Sequence, residues 1–171
     1  MRAIVRRLDA DDLRAYKALR DEMLRAHPDA FTSDAASERL KPPHAYLGRL
    51  GLDRPEGGHF LLGAFAGSSL VGALGCDRDA RPKVRHIAQV VGMMVRAEWR
   101  RQGVAGALLQ ACIDDARAAG VETLTLSVTA GNHGAERLYE RAGFERYGLL
   151  HDAIRESGRS HDKALMALKL K

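Results

Sequence analysis

A single mixed α/β domain, α+β in its strand order, is the fold class this sequence predicts. Three observations lead there. The 171 residues suit one domain, 1–171, with a substantial core. Short β-rich apolar runs and amphipathic stretches follow one another as helices, a meander of strands, then β-α-β-α-β-β. The stretch Val104 to Ala119 is long enough to be a crossover helix, which a parallel strand pair requires.

Leu13, Tyr16, Leu19 and Leu24 recur at helical spacing and predict a helix from about Ala10 to Ala26. Asp9 suits its N-cap, Asp11 and Asp12 suit its first turn, and His27-Pro28 ends it. Ser33 to Leu50 reads as one or two short helices interrupted at Pro42-Pro43. Strands are expected at His59–Phe65 and Leu70–Cys76, joined by the small turn Ala66 to Ser69 as a hairpin. Asp77 to Lys83 is a polar loop, and Val84 to Val95 is a long strand candidate. The helix Val104 to Ala119 closes on Gly120. Thr123 to Val128 alternates as a strand, a second helix runs from Asn132 to Ala142, and Gly143 stops it. Phe144–His151 and Lys163–Leu170 complete the strands around a Gly158-centred turn.

Composition narrows the function. Hydrophobic residues make up 46% and charged ones 29%, as in a soluble globular protein. No apolar run approaches a membrane span, and Met1 to Asp9 turns charged too early for a secretory signal. Cys76 and Cys112 are expected as buried apolar side chains, with a cytoplasmic setting as the default. No Cys/His cluster has metal-ligand spacing, so no metal is expected. The net charge of +5 suits an anionic ligand. The arginines are interspersed with acids and lack interleaved aromatics, which argues against nucleic acid.

The most informative stretch is R-R-Q-G-V-A-G-A-L-L, Arg100 to Leu109, directly after the apolar run Val90 to Val95. A strand stops, a small-residue loop follows, and a helix starts with free amides at its positive end, where a phosphate-like anion is favoured. Gly103, Ala105 and Gly106 allow close approach to the backbone, and Arg100 and Arg101 add cationic side chains. Neither the Lys-containing phosphate loop nor G-x-G-x-x-G is present. The spacing R-x-x-G-x-A resembles the acyl-CoA pyrophosphate loop of the Gcn5-related N-acetyltransferase (GNAT) family. Val128 to Phe144, V-T-A-G-N-H-G-A-E-R-L-Y-E-R-A-G-F, is similar to a second stretch of that family, V-x-x-x-N-x-x-A-x-x-L-Y-x-x-x-G-F. The two motifs stand in the family's order, and the element order from Ile4 to Leu170 agrees with it.

This resemblance implies a central mixed, mostly antiparallel sheet with a splayed parallel pair, flanked by helices. It implies an enzyme that transfers an acetyl group from acetyl-CoA to a primary amine, of a small molecule or a protein N-terminus, by direct attack in a ternary complex. A non-catalytic acyl-CoA-binding or sensing module is the alternative. Partners would be acetyl-CoA and the amine, with a homodimer common in the family. Met93, Met94 and Val95 match the strand end that pairs with the pantetheine arm, with a β-bulge expected near Gly92. Backbone N–H groups near Met93 and Met94 are the family's usual oxyanion stabilisers. Arg101, Gln102, Gly103, Val104, Ala105 and Gly106 match the pyrophosphate-binding amides. Asn132 matches an asparagine that bonds the cofactor or orders the loop, and an N-cap role fits it equally.

Tyr139 matches the family's general acid, which protonates the leaving sulfur and also touches the cofactor; its spacing alone fits a core aromatic. The attacking amine must lose a proton, yet the positions where family members carry a base hold Gln89 and Ser127. Those two are expected to contact substrate instead. His86 and His133 lie in nearby segments and are candidate proton carriers, or else surface or capping histidines. No cysteine stands in either motif, which favours direct transfer. Acceptor specificity is expected from His27 to Leu50 and Gly148 to His161. Their polar groups include Asp29, Ser33, Glu38, His44, Tyr46, Asp152, Arg155 and Glu156.

Overall fold

The computed structural model describes residues 1–171. Its strands are β1 (Ile4–Arg7), β2 (Phe60–Ala66), β3 (Ser69–Arg78), β4 (Ile87–Val95), β5 (Thr123–Thr129), β6 (Glu145–Glu156) and β7 (Arg159–Lys169). Its α-helices are α1 (Leu13–Ala26), α2 (Ala35–Arg39), α3 (Val104–Ala118) and α4 (His133–Arg141). The strands form one sheet in the order β1-β2-β3-β4-β5-β7-β6. All neighbours are antiparallel except β4 and β5, which run parallel with α3 as the crossover between them. This is the expected mixed sheet.

Two cores lie on opposite faces. The larger joins α3 and Tyr139 of α4 to Phe60, Leu62, Cys76, Val90, Leu124, Leu126 and Met166. The smaller packs Leu13, Tyr16, Leu19 and Met23 of α1 against Leu61, Phe65, Leu70 and Met94, closed by Tyr46 and Leu50. Close approach of α3 to β3 depends on Gly72, where a Cβ would stand 3.2 Å from both Val104 and Leu108.

Several boundaries differ from those expected. β1 was not anticipated: four residues, mostly exposed, form an edge strand on β2, too short to show alternation. Val84 to His86 are not strand, because Val84 and Arg85 N–H groups bond back to the Arg81 carbonyl in a turn. The last hairpin is longer than expected, with a two-residue turn at Ser157-Gly158 and paired strands through Arg155↔Ser160 and Ile154↔His161. Its polar, exposed residues carry no apolar alternation, and irregularities between Arg146/Gly148 and Leu150/Ile154 break the period. The first turn before α1 is a 3-10 helix over Ala10–Asp12, held by reciprocal capping between Asp9 and Asp12. The interruption at Pro42 stands, with α2 before it and a 3-10 segment, Pro43–Leu50, after it. Cys76 and Cys112 are free and buried. No helix is long and apolar enough to cross a membrane.

Candidate active site

Strands β4 and β5 pair only over Ile87↔Thr123, Ala88↔Leu124 and Gln89↔Thr125. Beyond Gln89 they part, β4 remaining with β3 as far as Val95 and β5 with β7 as far as Thr129. The parting coincides with a β-bulge. Val91 faces Gly75 and Met94 faces Ala73, so Gly92 and Met93 together oppose Leu74. Gly92 carries the left-handed φ of +61° that the bulge requires. The expected splay and the expected bulge are therefore both present.

A cavity of about 430 Å³ occupies the open seam. Gln89, Gly92, Met93, Ser127, Asn132 and Tyr139 line it. Met94 does not; its side chain is buried in the smaller core, leaving only its backbone for a ligand. Val104 is likewise buried against the larger core. Val95 and Arg100 to Gly106 lie outside the cavity wall. In that loop the N–H groups of Arg101, Gln102, Gly103, Val104, Ala105 and Gly106 donate to no acceptor in the chain; the first helical bond is Ala107 N–H to the Gly103 carbonyl. Gly103 has φ +79°, and Arg101 holds a left-handed φ of +58° that non-glycine residues rarely adopt. A Cβ on Gly106 would meet nothing within 4 Å, so its small size serves no packing need of the chain itself. The Arg100 guanidinium turns away, 2.6 Å from His27 Nε2.

Asn132 caps α4, its Oδ1 accepting from Ala135 N–H at 3.3 Å while the residue lines the seam. Tyr139 is 7% exposed and stacks edge-on to Phe144. Its hydroxyl has no hydrogen-bond partner in the chain, and burial pushes its pKa up to about 12. Neither candidate histidine reaches the cavity. His133 is exposed and lies 3.6 Å from Glu136, and His86 sits on the turn before β4, where its carbonyl accepts from Glu122 and Thr123. Both take the surface or capping role.

Sequence reasoning missed His59, Asp77, Arg20, Arg49, Lys163 and Cys76, all in the cavity wall. His59 Nε2 lies 3.1 Å from the Gly48 carbonyl, and Nδ1 lies 3.3 Å from Arg78 N and 3.1 Å from Asp77 Oδ1. A ring donating from Nε2 uses its Nδ1 lone pair on the Arg78 N–H, so His59 is held by the backbone. Only the strand register would have found the pair, since Phe60 faces Cys76 across β2 and β3, which brings His59 opposite Asp77. Cys76 packs in the larger core. The neighbouring Cys76 sulfur and burial push the Cys112 thiol well above its ordinary value.

Of the two expected specificity regions, only the first reaches the seam, through Phe31, Ser33 and Arg49. Glu38 and Tyr46 lie behind it in a buried cluster: Glu38 accepts from Arg20 Nε at 2.9 Å, Tyr46 Oη at 2.6 Å and Lys41 Nζ at 2.5 Å. His44 is exposed, and Asp29 contributes its carbonyl to the Thr129 hydroxyl. Asp152, Arg155 and Glu156 stay on the outer hairpin, where Asp152 binds Arg155 and Ser160. No group of three or more His, Cys, Asp or Glu side chains could hold a metal ion.

Comparison with known proteins agrees with this geometry. Residues 16–144 match the model of the acetyltransferase (GNAT) family. The chain is 30% identical over 161 residues to an L-amino acid N-acetyltransferase of Escherichia coli, covering 91% of this chain and 93% of that one. It is 34% identical over 83 residues to the ribosomal protein bS18-alanine N-acetyltransferase of E. coli, a match spanning 48% of this chain and only 56% of that relative. The yncA protein of Salmonella typhimurium, solved with its cofactor acetyl-CoA, superposes with a TM-score of 0.85 at 19% identity, over 100% of this chain and 95% of that one. A family model covering most of the chain and a relative matched over 93% of its length lead to one conclusion: this chain belongs to the GNAT family of acetyltransferases.

Proposed function

We propose that this protein is an N-acetyltransferase that moves the acetyl group of acetyl-CoA to a primary amine by direct attack in a ternary complex. The observation that carries the reading is the open seam between β4 and β5, with unbonded amides at its α3 end and Tyr139 in its wall. The residues fit the co-substrate. A diphosphate needs donors and room; six free N–H groups and the bare flank of Gly106 supply both. A pantetheine arm is amide-rich, and the unpaired edge of β4 beyond Gln89, at Met93 to Val95, offers complementary backbone groups. Asn132 keeps an amide free while capping α4.

The bound thioester supplies the electrophilic acetyl carbon. The chain contributes orientation and hydrogen-bond donors. In this reading backbone N–H groups near Met93 and Met94 receive the carbonyl oxygen as it gains charge. The Tyr139 hydroxyl, unbonded within the chain, is free to donate to the departing sulfur. At about 12 its pKa lies some 3.5 units above a reference thiol near 8.5, so full transfer to a thiolate costs about 5 kcal/mol. Tyr139 therefore keeps its proton and acts as a hydrogen-bond donor to sulfur; as the C–N bond forms and the C–S bond breaks, the proton shed by the nitrogen passes to the departing thiolate or to solvent. Gln89 and Ser127 hydrogen-bond the acceptor.

Direct attack has a built-in check, because Cys76 borders the cavity. A Cys76→Ala protein should retain transfer and show no acetyl-enzyme by mass spectrometry; loss of turnover would indicate a covalent route. Gln89 and Ser127, at the two positions where a base is expected, are not basic, which favours a second reading, a non-catalytic acyl-CoA-binding module. Calorimetry with acetyl-CoA and a CoA-release assay over amino acids, polyamines, amino-sugars and N-terminal peptides separates the two. Binding without release across the whole panel supports the module, and release supports the enzyme. A cytoplasmic location accords with two free cysteines, and cell fractionation tests it.

A further inference from the structure

The acceptor side of the seam has an unusual charge balance. Arg20, Arg49 and Lys163 line the cavity against one carboxylate, Asp77. Asp77 stands beside His59, on the row of the sheet that crosses β4 at Gln89, three residues before the bulge.

Arg20 is the best-defined of the three cations. Its side chain is only 5% exposed. Nε donates to Glu38 Oε2 at 2.9 Å and Nη2 to Ser33 Oγ at 3.0 Å. Nη1 donates to nothing in the chain, and it is the nearest atom to the space above Gly92, 3.9 Å from where a Cβ would be. A buried guanidinium, locked on two sides, thus aims its remaining donor nitrogen at the bulge. Glu38 does not neutralise that end, since Lys41 and Tyr46 share its carboxylate. Arg49 has no carboxylate within 4 Å; its Nη1 donates to Tyr16 Oη at 3.1 Å, and it stacks over the Tyr46 ring. Lys163 donates to Thr32 Oγ1 at 2.6 Å and has no acid partner.

We infer that Arg20 Nη1 and the Arg49 guanidinium form a subsite for the carboxylate of the acceptor, making that acceptor a free α-amino acid and not a protein N-terminus. The inference rests on the transferase reading for the identity of the acceptor. A bare ammonium entering among three cations is repelled, whereas one carrying a carboxylate two bonds away is drawn in with its anion on the arginines. A peptide N-terminus has no carboxylate at that position. The same positive surroundings favour the neutral form of the amine, which suits a site where Gln89 and Ser127 stand in place of a base.

The test reads binding and transfer separately. Each L-amino acid is compared with its own C-terminal amide and with an alanine-led tripeptide, first by calorimetry on the CoA-saturated protein, then by CoA release with acetyl-CoA. A charge-assisted pair of this kind should favour the free acid by on the order of 10- to 100-fold. Arg49→Gln should reduce that ratio at least tenfold while acetyl-CoA still binds. Arg20→Lys, which keeps the charge near Glu38 but removes the second nitrogen, should reduce it as well. Amides or the tripeptide binding as tightly as the free acids would overturn the subsite, as would an unchanged ratio in both variants. A clear preference in binding without any transfer would uphold the subsite and instead remove the catalytic reading.

Discussion

Tyr139 separates its two possible roles through its hydroxyl. As a core aromatic it needs only the ring, which packs on Phe144 and on the larger core. The hydroxyl has no partner to lose, so Tyr139→Phe should leave thermal stability unchanged and acetyl-CoA affinity within threefold, while kcat falls by roughly 10²- to 10³-fold. Unchanged kcat would return Tyr139 to the core. The pH profile tests the missing base. With the phenol at about 12, no limb from Tyr139 falls in the working range. kcat/KM should rise with pH until the acceptor's own ammonium is neutral, and a less basic acceptor should shift the limb down by the difference in amine pKa. A limb that stays put across acceptors would reveal an enzyme base instead. Tyr139, Asn132 and the Gly103 loop were legible because each belongs to a contiguous motif. His59, Asp77, Arg20 and Arg49 were not, since they meet only when α1, the 43–50 segment and the β2–β3 register bring them together.

At the level of elements, α3 makes a prediction in which stability and binding move in opposite directions. Gly106 lies in its first turn, in open space. Replacing glycine inside a helix gains about 0.5–1 kcal/mol, and an acid near the N-terminus adds about 0.3–1 kcal/mol. Gly106→Glu should therefore raise the urea midpoint. The same carboxylate stands where the diphosphate would lie, so the Kd for acetyl-CoA should rise on the order of tenfold or more. A stabilised protein with unaltered affinity would move the diphosphate elsewhere. Elements with strong periodicity, α1, α3 and β5, were readable from their residues, as was the continuous apolar run of β2. β1 and the outer parts of β6 and β7 were not, because they are exposed on at least one side and their pairing is set by neighbours along the sheet. The splay has no local signature beyond Gly92; it is a statement about where β4 and β5 stop pairing.

The whole molecule is a sheet in two wings that touch through three residue pairs of β4 and β5. The larger core of 22 buried residues spans both wings, while the smaller core of 12 belongs to the first alone. The cavity opens between the wings, so its first wall stands on how firmly α1, α2 and the 43–50 segment hold together. Glu38 is their common point. Burial works to raise its pKa, but hydrogen bonds from Lys41, Tyr46 and Arg20 outweigh that and bring it to about 2, against an ordinary 4.5. A carboxyl lowered by folding stabilises in full above pH 4.5, and that contribution is lost as the pH falls towards 2. The difference of about 2.5 units corresponds to about 3 kcal/mol. Glu38→Gln should be destabilised by about this amount at pH 7, where Arg20 loses its buried counter-charge. The gap to the parent protein should then close between pH 4.5 and pH 2, because protonation makes Glu38 equivalent to the glutamine. Urea unfolding of both proteins at pH 7, 5, 4, 3 and 2 measures it directly. A gap that stays constant over that range would mean that Glu38 holds the wall by packing and neutral hydrogen bonds, with no part for its charge.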